Sequence, residues 1–312
     1  MNNMRPKKTT HFGIQRKIIA NTTLHSWKTV PHIGYSYEPD VTEFMKTAKE
    51  LNASGKFSQK ITVNTIMLKA ITEGLKAAPA LNAHIQFDPK YVRGSVTQYD
   101  NIDVSMTWEL PSNQMMTINL HDLGEKSLTE LNDYIQDTAR RIANTNLDEA
   151  MYSVSFDDTM RALKSGKILL ALRRLIGAKT GKYKIKTLKG KEKKEYEAIP
   201  ETDRLTKDDL VQGTVCVSNI GSTTRGINGR VTLLALIPPE VFVMCMGTIQ
   251  KVPMVKQDEN GNDIISIGQM MPICCVFDHR AVDFDEIVPF LNRMEEIFHH
   301  KESFDTSCTI RT

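Results

Sequence analysis

The chain has 312 residues, 40 % of them apolar and 25 % charged, a length that can bury a sizeable core and a balance that excludes a disordered or fibrous chain. No run approaches the roughly 20 apolar residues that a membrane span needs. A net charge of +3 is slight for this size and gives no general argument for nucleic acid as a partner.

The amino terminus, Met1 to Thr10, is basic with no apolar stretch behind it, so export is not expected. The five cysteines, at 216, 245, 274, 275 and 308, are odd in number and lack metal-ligand spacing. They read as reduced thiols in a cytoplasmic protein with no bound metal. Apolar groups at 14, 18, 19 and 24 predict a first helix over 14–26. From Pro31, the alternation of Ile33, Tyr35 and Tyr37 predicts a half-buried strand. Asp40 or Thr42 then supplies a cap for a helix running toward Leu51. Thr62 to Ala78 is the longest amphipathic helix, with Ile66, Leu68, Ala70, Ile71 and Leu75 as its core stripe and Pro79 as its stop.

Strands are expected at Ile102 to Trp108 and Met115 to Leu120 around a turn at Pro111 to Asn113, followed by a helix over Leu128 to Ala143. Strand signals return at Gly213 to Ile220 and Val241 to Gly247. Lys251 to Asp263 reads as a polar turn, Ile264 to Phe277 as one or two strands, and Asp285 to His299 as a closing helix. Helices and strands interleave with long connections, which predicts a two-layer α/β sandwich with a mixed sheet. The chain reads as a single domain, 1–312, carrying a basic insertion at about 148–206.

Asp278-His279-Arg280-Ala281-Val282-Asp283 falls where a strand gives way to the closing helix. A histidine there, held in one tautomer by backbone carbonyls and open to a channel, meets the needs of a general base near neutral pH. The acid four residues later lies past the turn, placed to pair with an arginine and fix the loop. By itself H-x-x-x-D is frequent by chance, is in most cases a surface or core pair, and decides nothing alone. Adjacent Cys274 and Cys275 in a strand point to opposite faces and suit ordinary burial, and His32 suits a structural role.

More motifs accompany it: Arg16-Lys17-Ile18-Ile19-Ala20, Val30-Pro31-His32 with Asp40-Val41-Thr42, and Ala78-Pro79-Ala80-Leu81-Asn82-Ala83. Lys126-Ser127-Leu128 and Gly213-Thr214-Val215-Cys216-Val217-Ser218-Asn219-Ile220-Gly221 follow. In this order they resemble the catalytic domain of the acyltransferase component of 2-oxo acid dehydrogenase complexes. More distantly they resemble chloramphenicol acetyltransferase, which shares that fold. The resemblance covers about residues 13–145 and 207–298. It implies a coenzyme-A-dependent acyltransferase that moves an acyl group between coenzyme A and a thiol (dihydrolipoyl) or hydroxyl acceptor. His279 would be the general base and Ser218 the hydroxyl that steadies the oxyanion, with Asp283 structural and Arg16 its candidate partner. It also implies a homotrimer with the histidine of one subunit facing the serine of its neighbour, and higher assembly in some relatives.

Three departures qualify the likeness. Only about a dozen residues precede the first matching helix, so no lipoyl or subunit-binding domain is expected, and a lipoyl group would act only in trans, on a lipoyl-bearing or acyl carrier protein. Phe284 replaces the family's glycine, which is expected to reshape the turn, and together with the altered channel segment it motivates an alternative reading as a non-catalytic trimeric scaffold or regulator. Asn113 to Asn119 replaces an apolar segment lining the channel, so a different acyl pocket is expected.

From Arg161 to Lys194 the chain is strongly basic, opposed only by Glu192, and the apolar residues of Thr159 to Gly177 mark an amphipathic helix or pair of helices. Such a piece suits the phosphates of coenzyme A, an acidic carrier protein, an anionic membrane surface, or a solvated lid packed down by its leucines.

Overall fold

The computed structural model describes residues 5–300 apart from 56, 58, 110–114, 165, 167, 181–183 and 186. In chain order the first half contains α1 (Ile14–Thr29), β1 (His32–Tyr37), α2 (Thr42–Ala53), α3 (Val63–Ala77), β2 (Ala83–Asp88), β3 (Arg93–Gln98), β4 (Val104–Glu109), β5 (Met115–Leu120) and α4 (Leu128–Ala143). There follow α5 (Leu147–Lys164), α6 (Ile168–Lys179), α7 (Gly190–Glu197), β6 (Val215–Asn219), β7 (Phe242–Met246), β8 (Gln250–Gln257), β9 (Asp263–Met270), β10 (Ile273–Asp278) and α8 (Phe284–His299). The described residues divide into two compact units, one drawn from 1–25 and 138–211, the other from 26–137 and 212–312.

The second unit holds a six-stranded sheet in the order β1-β10-β7-β6-β4-β5. The pairs β7/β6 and β6/β4 are parallel and the other three antiparallel, which is the mixed sheet expected. Its central strands are buried on both faces, so they read as continuous apolar runs rather than alternation. Ile273, Cys275 and Phe277 of β10 point into the larger core with α2, α3 and α8. Cys274 and Val276 point the other way, into a smaller core with Val243, Cys245, Val30 and Leu236. The two adjacent cysteines therefore do face opposite sides, both buried.

Helix α3 starts where Thr62 accepts a hydrogen bond from the Thr65 amide at 3.1 Å, and the whole expected stripe is buried. Gly74 faces α8: a Cβ there would stand 2.8 Å from the Phe290 ring, so only glycine lets the two helices come this near.

Several expectations need correction. The stretch read as a polar turn over Lys251 to Asp263 is half strand: β8 pairs with β9 as a separate hairpin, Val252 opposite Gly268 and Val255 opposite Ile265. Pro253 and two lysines masked the strand, and proline is tolerated because the two-stranded hairpin places it at an exposed position. A second hairpin, β2 with β3, carried no usable signal, since β3 is exposed along its whole length and has no buried alternation. The predicted turn at Pro111 to Asn113 lies outside the described residues. The basic segment resolves into the end of α5 and α6, with Gly166 between them at φ +78°, a left-handed conformation natural to glycine.

Candidate functional site

The loop from β10 to α8 is built on Asp278. Its carboxylate is fully buried and is clamped by its own near neighbour: Arg280 Nε donates to Oδ1 at 2.9 Å and the guanidinium NH2 donates to Oδ2 at 2.5 Å. The Arg280 amide also donates to Oδ1 at 3.0 Å, and the amides of Ala281 and Val282 both reach the Asp278 carbonyl. A buried charge is tolerable only when paired and hydrogen-bonded in this way. The clamp therefore fixes the turn that carries His279. On its far side the guanidinium lies over the Phe87 ring of the β2–β3 hairpin, 5.6 Å from its centroid.

His279 donates its backbone amide to the Pro31 carbonyl, which ties the loop to the start of β1. Its side chain is half exposed, and Nδ1 lies 3.3 Å from Asp283 Oδ1. A carboxylate at that nitrogen favours the Nδ1–H tautomer and leaves Nε2 with a free lone pair, the form a proton acceptor requires. Asp283 is in turn held at the start of α8, where Glu286 Oε2 accepts from its amide at 2.8 Å. The expected tautomer lock through backbone carbonyls is replaced by this carboxylate, and the arginine–carboxylate pair that steadies the loop is Arg280–Asp278. Arg16 lies on α1 in the other compact unit, and its pairing with Asp283 remains a proposal.

Phe284 does not sit in a strained turn. It is the first residue of α8, edge-on to Tyr35 with centroids 5.3 Å apart, and Asp283 before it has an ordinary extended backbone. The reshaped turn expected from losing glycine is therefore a regular helix start, and among the described residues only Val92 and Asp122 combine a side chain with positive φ.

Ser218 occupies β6, half-buried and in register with Cys245 of β7. Burial pushes the Cys245 thiol up, and the neighbouring Ser218 offsets part of that rise; the thiol itself donates to the Met246 carbonyl at 3.7 Å. The thiol beside Ser218 became visible only once β6 and β7 were paired. Beyond the serine, Asn219 donates to Asn64 Oδ1 at 2.9 Å and accepts from the Gly221 amide at 2.8 Å, holding the strand end in place.

Register decides whether Ser218 and His279 of one chain can meet. Ser218 is level with Cys245, and Cys245 with Cys274. His279 stands five positions (279 − 274) beyond Cys274, about 16 Å along the strand, and two strands over, about 10 Å across. The two groups are thus roughly 19 Å apart at opposite ends of the sheet. Within one chain the two groups therefore do not meet.

Two other histidines are absorbed by structure. His32 accepts from the Leu236 amide at 3.1 Å, contacts the Val30 carbonyl at 2.8 Å and stacks on Trp27. His84 bridges the Gly213 carbonyl and the Tyr99 hydroxyl. Among the described residues, no group of three His, Cys, Asp or Glu stands close enough to hold a metal ion.

Sequence reading also missed Glu240, a buried acid whose Oε1 accepts from Ser105 at 2.9 Å, while Ser105 accepts from the Gly213 amide. Burial raises its pKa from the ordinary 4.5 to about 8, with the serine hydrogen bond opposing the shift. The native chain then keeps this proton across a range where the unfolded chain has released it. Stability must therefore fall as pH rises from the unfolded value toward the native one. Urea unfolding is expected to show a loss of a few kcal/mol between about pH 5 and pH 8, and Glu240→Gln should flatten that slope. An unchanged slope in the variant would remove Glu240 from the account.

A family model described as 2-oxoacid dehydrogenases acyltransferase (catalytic domain) matches residues 5–155 and 184–304. The unmatched stretch, 156–183, lies inside the expected basic insertion. The chain is 19 % identical over 287 residues to the dihydrolipoyllysine-residue acetyltransferase component of the Saccharomyces cerevisiae pyruvate dehydrogenase complex, which covers 91 % of this chain. It spans only 45 % of that relative's length. Among solved structures, a probable dihydrolipoamide acetyltransferase from Listeria monocytogenes superposes with a TM-score of 0.63 at 17 % identity, covering 97 % of this chain and 98 % of that one. Dihydrolipoamide acetyltransferase from Azotobacter vinelandii also superposes at 0.63, with 16 % identity and coverage of 97 % and 95 %. In that protein the catalytic roles investigated were those of a serine, a histidine and an asparagine four positions past the histidine.

Proposed function

The chain belongs to the 2-oxoacid dehydrogenase acyltransferase family through its catalytic domain, and from that premise we propose that it moves an acyl group between coenzyme A and a dihydrolipoyl thiol. The observation that carries the reading is the His279–Asp283 pair: an accessible imidazole with its Nδ1 held and its Nε2 free, on a loop locked by a buried ion pair.

In the proposed reaction, Nε2 takes the proton of the attacking thiol, and the thiolate adds to the carbonyl carbon of the acyl thioester. The oxyanion so formed accepts a hydrogen bond from the Ser218 hydroxyl, aimed where charge develops. Collapse expels the second thiolate, which recovers the proton from the imidazolium. Asp283 stands four positions past His279, the spacing of the asparagine studied in the Azotobacter enzyme.

Both groups must lie within hydrogen-bond reach of one reacting centre, and one chain holds them roughly 19 Å apart. A second copy therefore completes each site, which supports an assembly of several copies, a homotrimer with three such sites if it follows the family resemblance. The lipoyl group would be presented to the site by a lipoyl-bearing domain, and the free thiols suit a cytoplasmic setting. With Phe284 in a regular helix start, one of the two features that motivated a non-catalytic scaffold loses its weight; the other, the altered channel segment Asn113 to Asn119, lies partly outside the described residues.

The direct test incubates the protein with acetyl-, propionyl- and succinyl-coenzyme A and dihydrolipoamide, and follows release of coenzyme A. Transfer of at least one acyl group is expected. Failure with all three, together with no heat of coenzyme A binding by calorimetry, would overturn the reading.

A further inference from the structure

The segment left out of the family match contains a helix face that is exposed among the described residues. In α6, Ile168, Leu169, Leu172 and Ile176 are 56, 61, 49 and 59 % exposed. At 100° per residue these four fall within an arc of about 100°, a single continuous ridge. The opposite side is the one held down: Ala171 is fully buried, and Lys17 donates to the Gly177 carbonyl at 2.8 Å. A lid packed by its leucines would bury this ridge, so the lid reading fails for α6.

The sequence that carries the ridge bears charge of one sign. From Thr159 to Lys191 the sequence has eleven lysines and arginines and no carboxylate. Lys164, Arg173 and Arg174 are exposed, with Arg173 flanking the ridge. Coenzyme A phosphates would use the cations but not four exposed aliphatic groups, and nucleic acid offers no apolar phase to receive them. Protein surfaces mix both signs of charge, and a segment fitted to one usually carries some acids of its own. A uniformly anionic plane with hydrocarbon beneath it matches both halves of the pattern.

We propose that α6 seats this ridge in the surface of an anionic lipid bilayer, with the surrounding cations on the headgroups, so that the protein sits on a membrane without crossing it. The inference rests on nothing in the acyl-transfer reading and stands or falls separately.

The test is flotation of the full chain with vesicles of phosphatidylcholine, alone or with one part in three phosphatidylglycerol, at low and high salt. The wild type is expected to float with the anionic vesicles only. Leu169→Gln with Ile176→Gln should weaken binding at least about tenfold, and Arg173→Gln with Arg174→Gln should weaken it and reduce its salt dependence. Both variants should keep the wild-type elution volume and acyl transfer rate. The proposal is overturned if the wild type stays unbound at low salt, or if the ridge variant floats as well as the wild type. Tighter binding to polyglutamate than to vesicles would assign the face to an acidic protein instead. A changed elution volume in the ridge variant would assign it to contact between copies of the chain.

Discussion

Replacing His279 by alanine is expected to lower kcat about 10²- to 10⁴-fold while leaving the fold, the assembly and coenzyme A binding intact. The size follows from what the imidazole would do: without it, the attacking thiol must lose its proton to water. Folding should be spared because the side chain is half exposed, and its polar contact is the still more exposed Asp283. The loop itself is held by Asp278, Arg280 and the Pro31 carbonyl, none of which needs the imidazole. Steady-state kinetics with calorimetry and size exclusion would check this. Full activity in the variant would end the proposed mechanism, whereas loss of assembly would show the side chain to be structural.

How far the sequence alone reaches differs between the fold and the site. Helix α3 and strands β6, β7 and β10 were readable because burial imposes a regular apolar pattern on them. The β2–β3 hairpin was not, because β3 buries nothing and so has no pattern to leave behind. Strand β8 was obscured by a proline that an isolated hairpin tolerates. At the site, the motif predicted where His279 and Asp283 would stand, but not which partner each would take. Arg280 sits two residues from the acid it clamps, a local geometry that no spacing rule singles out. The thiol beside Ser218 and the separation of Ser218 from His279 both depend on strand register, which belongs to the pairing of distant segments.

That separation leads to the second large effect, the behaviour of mixed variants. His279→Ala and Ser218→Ala are each expected to be nearly inactive, since removing an oxyanion donor typically costs about 10²- to 10³-fold. If each site takes its histidine from one chain and its serine from a neighbour, an equal random mixture of the two behaves differently. A site is intact when its histidine comes from a serine variant and its serine from a histidine variant, and that combination arises in about one quarter of sites in a heterologous ring. Co-expressed or co-refolded mixtures should therefore recover about a quarter of wild-type kcat from two almost silent parents. A site confined within one chain gives no recovery at any ratio, because every chain carries a defect. The measurement thus decides between them without reference to substrate identity: recovery requires that the opposite ends of two sheets face each other across a boundary between copies.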